Sequence, residues 1–304
     1  MEERTIEENI EKKQYKILLA FPTSKEKDYV LKEFLENLKH LDYPFHIFAV
    51  DTTLGDHENK YTNHLRSLGV ETVKFEWDPS AVHTTYMLSQ ARDLIRQKAV
   101  DEGYDYLMSV DSDMIIPHNT ITDLIRYDKD CIGYPYNIFA RKGQRSTPCV
   151  TRSGKMYMQD TPQTEGNKYR RGLDLLSWND IRYIKADIAR VYGAGLGCCL
   201  IKRKVLENTR FRSHPDICIG EDVWYWNEVN EKGYEMWIVP RKRPIHKMKT
   251  WKVKATQPLG GVFINLHKEG DKVVGDATVA KLTKDQLEEV RKQMKENEET
   301  WNEA

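Results

Sequence analysis

Three short runs of the 304-residue sequence carry side chains able to do chemistry: Asp111-Ser112-Asp113, Gly220-Glu221-Asp222, and the basic stretch Arg241–Lys254 around His246. In the first, Tyr104–Val110 (YDYLMSV) reads as a strand that feeds straight into two carboxylates at i and i+2. Such residues share a face, about 6–7 Å apart along an extended chain. Like charges so placed repel unless something positive lies between them. A hard divalent cation, Mg²⁺ or Mn²⁺, meets that need, since both prefer carboxylate and phosphate oxygens. A straight strand holds the two Asp too far apart to ligate one ion directly, so either the chain bends at Ser112 or one Asp acts through water or a bound ligand. Asp-Ser-Asp is also ordinary turn chemistry. Its place at the carboxyl end of a strand is what favours a site.

Glu221 and Asp222 open a helical run that continues to Lys232. Acidic residues there are favoured by the helix dipole and often serve only as caps. A carboxylate held rigidly by a helix start is also well placed to act as a general base on a hydroxyl, and Asp222 is the candidate. His246 lies in a stretch with seven Lys or Arg among fourteen residues. That composition fits a solvated loop, and equally a clamp on an anionic leaving group. His267 is the weaker candidate for the histidine's part.

The elements that must position these groups alternate over the first 110 residues. Tyr15–Phe21 (YKILLAF) is a continuous apolar run stopped by Pro22, as in a buried parallel strand. Ser24 can cap a helix in which Val30, Leu31, Phe34, Leu35, Leu38 and Leu41 recur at helical spacing. Strands follow at His46–Val50 and Val70–Phe75, with a short helix between them marked by Tyr61, Leu65 and Leu68. From Thr84 to Glu102, Met87, Leu88, Ala91, Leu94, Ile95 and Ala99 line one helical face. Four strands alternating with helices predict a mostly parallel α/β sheet, in which ligands bind beyond the carboxyl ends of the strands. Thr23 with Ser24, Asp51, and the Asp111/Asp113 pair all stand at such ends.

The second half is less regular. A short helix at Asn119–Tyr127 and a strand at Cys131–Tyr134 precede a stretch, Asn137 to Arg190, without long periodic elements; a loop or lid is expected there. Val191–Ile201 (VYGAGLGCCLI) is Gly-rich and ends in a strand, with a helical turn at Lys202–Glu207. A strand is expected at Glu235–Val239 and another at Gly261–Leu266, and Thr283-x-x-Gln286 is a capping box for a charged helix from Lys284 to about Asn297.

Composition sets outer bounds. Forty-seven basic residues balance forty-seven acidic ones, so nothing in the bulk charge attracts nucleic acid or anionic lipid. No apolar run is long enough to span a bilayer. Met1–Gln14 lacks the apolar core of a secretory signal, and the five cysteines form no CxxC pair. A cytoplasmic location and a reduced state are therefore expected, with Cys198 and Cys199 packed as small apolar residues in a strand.

Taken together these residues resemble the GT-A fold glycosyltransferases, close to the family 2 type. The likeness is carried by Ala91-Arg92-Asp93, Tyr104-Asp105-Tyr106-Leu107 and Asp111-Ser112-Asp113-Met114 with Pro117, which resemble that family's "ARN … YDYLLFLDSDM-x-xP" stretch. Pro22-Thr23 and Glu221-Asp222 are similar to its "PT" and "ED" motifs, and the covered region runs from about Tyr15 to His267. The resemblance implies a Rossmann-like sheet with helices on both faces and a smaller acceptor-side subregion. The domain would span residues 15–267, with a donor half at about 15–135 and an acceptor half at 136–267, between charged tails at 1–14 and 268–304. It implies further that Thr23 and Asp51 contact base or ribose and that Arg92 lies on the nucleotide side. Asp113 would hold Mn²⁺ or Mg²⁺ with His246 as a further ligand and Asp111 beside them on ribose, sugar or metal. The glycines around Gly195 would allow close approach of the donor sugar. Asp222 would be the base and Glu221 would orient the acceptor.

The activity so implied is transfer of a sugar from a nucleotide-sugar donor, UDP-sugar favoured and GDP-sugar the other candidate, to an acceptor hydroxyl with inversion, as in a hexosyltransferase. A lipid-linked acceptor would add peripheral membrane contact. Strand two ends in a single Asp51 rather than Asp-Asp, and no QxxRW follows the ED motif, so a processive polysaccharide synthase is not expected. Two other readings stand beside this one: a retaining enzyme of the mannosylglycerate-synthase type, and a non-catalytic carbohydrate- or partner-binding module on the same scaffold.

Overall fold

A computed structural model of the chain describes residues 14–56, 58–78, 82, 84–138, 147–160, 169–213, 220–247, 261–269 and 272–280. The first strands are β1 (Ile17–Thr23), β2 (His46–Asp51), β3 (Glu71–Lys74) and β4 (Tyr106–Val110). Between them lie α1 (Asp28–Lys39), α2 (Lys60–Ser67) and α3 (Thr84–Asp101). Strands β1, β2, β3 and β4 pair in parallel, as the apolar runs predict. The chain continues through β5 (Met114–Ile115), α4 (Thr120–Ile125), β6 (Cys131–Gly133), β7 (Asn137–Ile138), β8 (Thr147–Pro148), β9 (Val150–Asp160), β10 (Tyr169–Leu175) and α5 (Trp178–Tyr183). Then come β11 (Ala189–Val191), β12 (Gly193–Ala194), β13 (Cys198–Lys202), α6 (Arg203–Asn208), α7 (Glu221–Glu231), β14 (Met236–Ile238), β15 (Ile245–His246), β16 (Gly261–Glu269) and β17 (Lys272–Ala280).

The chain divides into two units, one of Met1–Phe139, Ser146–Lys155 and Leu173–Met248, the other of Ala140–Arg145, Met156–Gly172 and Lys249–Ala304. The first is built on an eight-stranded sheet in the order β11-β14-β6-β13-β4-β1-β2-β3. Parallel pairing predominates; β13 runs antiparallel to both β4 and β6, and β11 is antiparallel to β14. Alternation along β1 shows how the sheet is covered. Ile17, Leu19 and Phe21 face a core with Leu31, Phe34 and Leu38 of α1, Leu65 of α2 and Leu124 of α4. Leu18 and Ala20 face the opposite core, with Ala91, Ile95 and Ala99 of α3, Leu206 of α6, and Tyr225 and Val229 of α7. Both faces are therefore dry, as an apolar parallel strand requires. Cys198 and Cys199 lie fully buried in β13.

Some sequence expectations are corrected. Ser24 does not cap α1 with its side chain; its backbone carbonyl accepts from Lys27 N–H in a single 3₁₀ turn, Lys25–Lys27, that precedes the helix. Leu94, expected on the inner stripe of α3, is 41% exposed, while Arg92 and Arg96 are buried there instead. Residues 137–190 are not loop throughout: β9 pairs with β12, Thr151 opposite Gly193, and α5 starts on a capping box between Ser177 and Asp180. In the second unit, β16 and β17 pair antiparallel, Gly261 opposite Ala280. The N-terminal tail to residue 13 and the expected Lys284–Asn297 helix lie outside the described residues, as does Cys218.

Candidate active site

Asp111–Asp113 is a turn, not a continuation of β4: Met114 N–H donates to Asp111 carbonyl at 3.0 Å. The chain therefore bends at Ser112, the first of the two resolutions the i,i+2 spacing left open. The bend sends the two carboxylates to different partners. Asp111 accepts from Arg92 Nη2 at 2.6 Å. Asp113 turns into a site whose other wall comes from far later in the chain, around His246. Short strands β5 and β15 pair antiparallel, Met114 opposite His246, and Lys247 N–H donates to Asp113 carbonyl at 2.8 Å. That ribbon is what brings the late histidine to the early aspartate.

The Asp113 side chain is 2% exposed. Its Oδ2 bonds Lys27 Nζ, and its Oδ1 faces His246 Nε2 at 3.3 Å without a hydrogen bond. His246 Nδ1 lies 2.8 Å from the Asn137 carbonyl and donates to it, which leaves Nε2 as the nitrogen presented to Asp113. A protonated imidazole pairs with Asp113 directly; a neutral one in this tautomer turns its Nε2 lone pair to the carboxylate, an arrangement that a cation between them would satisfy. Burial alone would push the Asp113 carboxyl up, but His246 and Lys27 outweigh it and hold the group below the usual carboxylate range. The imidazole is opposed by burial and raised by Asp113. Two ligands at right angles on one ion at ~2.1 Å stand about 3 Å apart, close to the observed spacing, so the pair fits a small divalent cation. Among the described residues no cluster of three or more His, Cys, Asp or Glu surrounds such a position.

The second half of the site is a buried charge network. Arg92 of α3 is 5% exposed and forks its guanidinium over Asp111 Oδ1, Ser109 Oγ at 3.0 Å and Glu221 Oε1 at 3.1 Å. Ser109 Oγ in turn donates to Leu196 carbonyl at 2.8 Å. Arg92 thus ties the DSD turn to the start of α7. Asp222, next along, accepts from its neighbour Val223 N–H at 2.8 Å and lies 3.9 Å from Cys149 Sγ. Burial and the adjacent Glu221 charge push the Asp222 carboxyl up to about 7, against the pull of Val223 N–H and Arg92.

The remaining candidates fall as follows. Asp51 is fully buried at the end of β2, where Thr53 N–H (2.8 Å) and Thr62 Oγ1 (2.6 Å) bond its two oxygens. Its carboxylate orders its own loop. Thr23 is 3% exposed with its hydroxyl unpartnered, and its carbonyl accepts from Thr52 N–H. Gly195 faces not open space but Tyr136 and Cys149, and a Cβ at Gly197 would stand 2.5 Å from Asp111 Oδ2. Close packing of the protein's own groups accounts for those glycines. Arg92, expected on the nucleotide side, is turned inward. Of the basic run, Arg241 lies 3.9 Å from Asp187, Arg243 sits 4.1 Å over the Trp178 ring, and Lys247 bonds Glu33. Within the described part of that run His246 faces the site, and residues 248–254 lie outside the description. For His267 the backbone alone is described, within β16.

Sequence reasoning missed Lys27 and Tyr136. Tyr136 is buried, its hydroxyl accepts from Gly197 N–H at 3.0 Å, and its ring meets His246 edge-on at 5.5 Å. Neither has a spacing signal; both are brought to the site by tertiary structure.

No protein-family model matches the chain, and no curated protein matches its sequence. Among solved structures the chain is similar to TarS 1-349 of S. aureus, at 14% identity over 75% of this chain and 59% of that one, with a TM-score of 0.46. The same protein in complex with UDP-GlcNAc gives 14%, 78% and 61%, with a TM-score of 0.44. Mannosyltransferase PcManGT from Pyrobaculum calidifontis, in complex with GDP-Man and Mn²⁺, gives 12%, 79% and 59%, with a TM-score of 0.49. The chain spans about three fifths of the length of these structures. Such values assign no residue a role. What the chain's own elements define is an α/β protein with a mostly parallel central sheet and its polar candidate site beyond the carboxyl ends of β1 and β4. No helix among the described residues is long and apolar enough to cross a membrane.

Proposed function

We propose that the protein is a metal-dependent glycosyltransferase that moves a sugar from a nucleotide-sugar donor to an acceptor hydroxyl with inversion. The reading rests on one observation above all: Arg92 joins two carboxylate sites of opposite character. Asp113 is held ionised by Lys27 and His246, while the Asp222 carboxyl is pushed up to about 7. An ionised buried aspartate facing an imidazole suits a cation, and a carboxylate near 7 suits a proton acceptor.

Asp113 and His246 would hold Mn²⁺ or Mg²⁺, which when bound supplies positive charge for a diphosphate leaving group. Thr23 and the loop ordered by Asp51 would meet the nucleoside, and Asp111, oriented by Arg92, the ribose or donor sugar. Asp222 accepts the proton of the acceptor hydroxyl. The hydroxyl oxygen forms the new bond to the anomeric carbon while the bond from that carbon to the diphosphate oxygen breaks, its electron pair leaving with the diphosphate. Glu221, fixed on Arg92, keeps the start of α7 in place rather than reaching for the acceptor.

Uridine donors are favoured and guanosine donors are the other candidates. A thermal-shift series with UDP- and GDP-sugars, with and without Mn²⁺, tests the reading. The matching donor at a hundredfold excess over its dissociation constant stabilises the fold by about 2.7 kcal/mol, and NMR of the product shows the inverted anomer. No stabilisation and no turnover with any nucleotide sugar would overturn it in favour of a non-catalytic binding module.

A further inference from the structure

Lys27 stands at the first bend after β1 and was assigned no part by the sequence. The 3₁₀ turn Lys25–Lys27 is pinned at both ends. Lys25 N–H donates to Thr53 Oγ1 at 2.9 Å, and Lys27 N–H to Ser24 carbonyl at 2.8 Å. From there the Lys27 side chain, 23% exposed, places its ammonium on Oδ2 of Asp113, the carboxylate whose other oxygen faces His246. A fixed positive charge on this carboxylate has two consequences. It repels a divalent cation shared by Asp113 and His246, and it is itself within reach of any anion that such a cation would bind. An ammonium on a four-carbon stem is a mobile point charge, free to pass from a carboxylate to a phosphate oxygen without breaking a bidentate geometry.

We propose that Lys27 couples divalent-cation binding to nucleoside-diphosphate binding: its ammonium holds Asp113 until a diphosphate oxygen takes it over. Metal alone then binds against the Lys27 charge, and metal with nucleoside diphosphate binds without that opposition. By linkage the nucleotide tightens the metal by the same factor that the metal tightens the nucleotide. The inference rests on reading Asp113 and His246 as a cation site, and adds to it a residue and an order of preference between ligands.

Calorimetric titration of MnCl₂ into the full-length protein, with and without saturating UDP, tests it; GDP replaces UDP in a parallel arm. In the wild type UDP tightens Mn²⁺ by about tenfold or more, within the usual range of coupling between sites. In Lys27→Met, Mn²⁺ alone binds about tenfold tighter than in the wild type, and UDP tightens it further by no more than about threefold. Lys27→Arg keeps the charge and keeps Mn²⁺ alone weak. Lys27→Gln repeats the first variant with a polar side chain, and thermal melts confirm that each variant folds. Equal or weaker Mn²⁺ binding in Lys27→Met, or an unchanged effect of UDP, overturns the coupling while leaving the cation site standing. No Mn²⁺ binding in any protein, with UDP or GDP present, overturns the cation site and the coupling with it.

Discussion

Asp113, buried, and Asp222, half-buried, stand in the two halves of one candidate site, yet they are driven in opposite directions. Asp113 receives the Lys27 ammonium from the turn after β1 and faces the His246 imidazole from β15, and the two hold it ionised despite its burial. Asp222 receives none directly. The nearest guanidinium, Arg92, is spent on Asp111 and Glu221, so Asp222 is left with a like charge beside it and a single N–H donor. Burial pushes both carboxyls up, and what separates them is whether cationic neighbours outweigh it: Lys27 and His246 do so at Asp113, and Arg92 does not at Asp222. One arrangement suits holding charge and the other suits moving a proton.

The comparison breaks most sharply at Asp222. Asp222→Asn keeps an oxygen for Val223 N–H but removes the proton acceptor, so transfer should fall by about 10²–10⁴ while UDP binding with Mn²⁺ changes by less than about threefold. Steady-state rates and calorimetry on the same preparation check both halves. Asp113→Ala should reduce transfer by about 10²–10³ and, unlike Asp222→Asn, should abolish the Mn²⁺ dependence of nucleotide binding. Unchanged affinity in Asp113→Ala would sink the metal assignment.

Arg92→Met tests the link between the two. It strands Asp111 and Glu221 without their shared cation, and breaking a buried pair in this way costs about 3–5 kcal/mol, measurable by denaturant unfolding. Arg92→Lys retains the charge without the fork and should fall between Met and wild type. A loss below about 1 kcal/mol for Arg92→Met would mean that the network is not what fixes α7.

The pH dependence follows from the direction of the Asp222 shift. Its folded value, about 7, lies above the ordinary 3.8 of an unfolded aspartate. The folded protein therefore binds a proton that the unfolded chain lacks between those values, and this contribution to stability is lost as pH rises from about 4 through 7. Asp222→Asn should flatten that part of a melting-temperature profile, and an unchanged slope would assign it to another group. The rate of transfer should run the other way, rising through pH 7 as Asp222 becomes a base.

The parallel half of the molecule was legible because its signals are local. Apolar runs at β1, β2 and β4 and helical stripes in α1 and α2 announce themselves within a few residues, and the DSD carboxylates sit where a strand visibly stops. The charge network was not legible as a network. Arg92, Ile95, Arg96 and Ala99 share helical spacing, so the sequence did hold a signal that two arginines point inward on α3; reading hydrophobic positions alone assigned Leu94 to their place. The Ser177/Asp180 capping box was likewise present but stands in a stretch without apolar periodicity. For β9, polar residues and Ser153-Gly154 conceal a strand one of whose two partners, Gly193–Ala194, has almost no side chains to match. Lys27 and Tyr136 reach the site through tertiary contacts that no spacing encodes.

One titration addresses the central division of labour most directly: UDP with Mn²⁺ into Asp222→Asn, alongside its transfer rate. Nucleotide affinity within about threefold of the wild type, with transfer reduced at least about a hundredfold, is the predicted result. Affinity lost together with transfer, or transfer left intact, would contradict the assignment of cation holding to Asp113 and proton removal to Asp222.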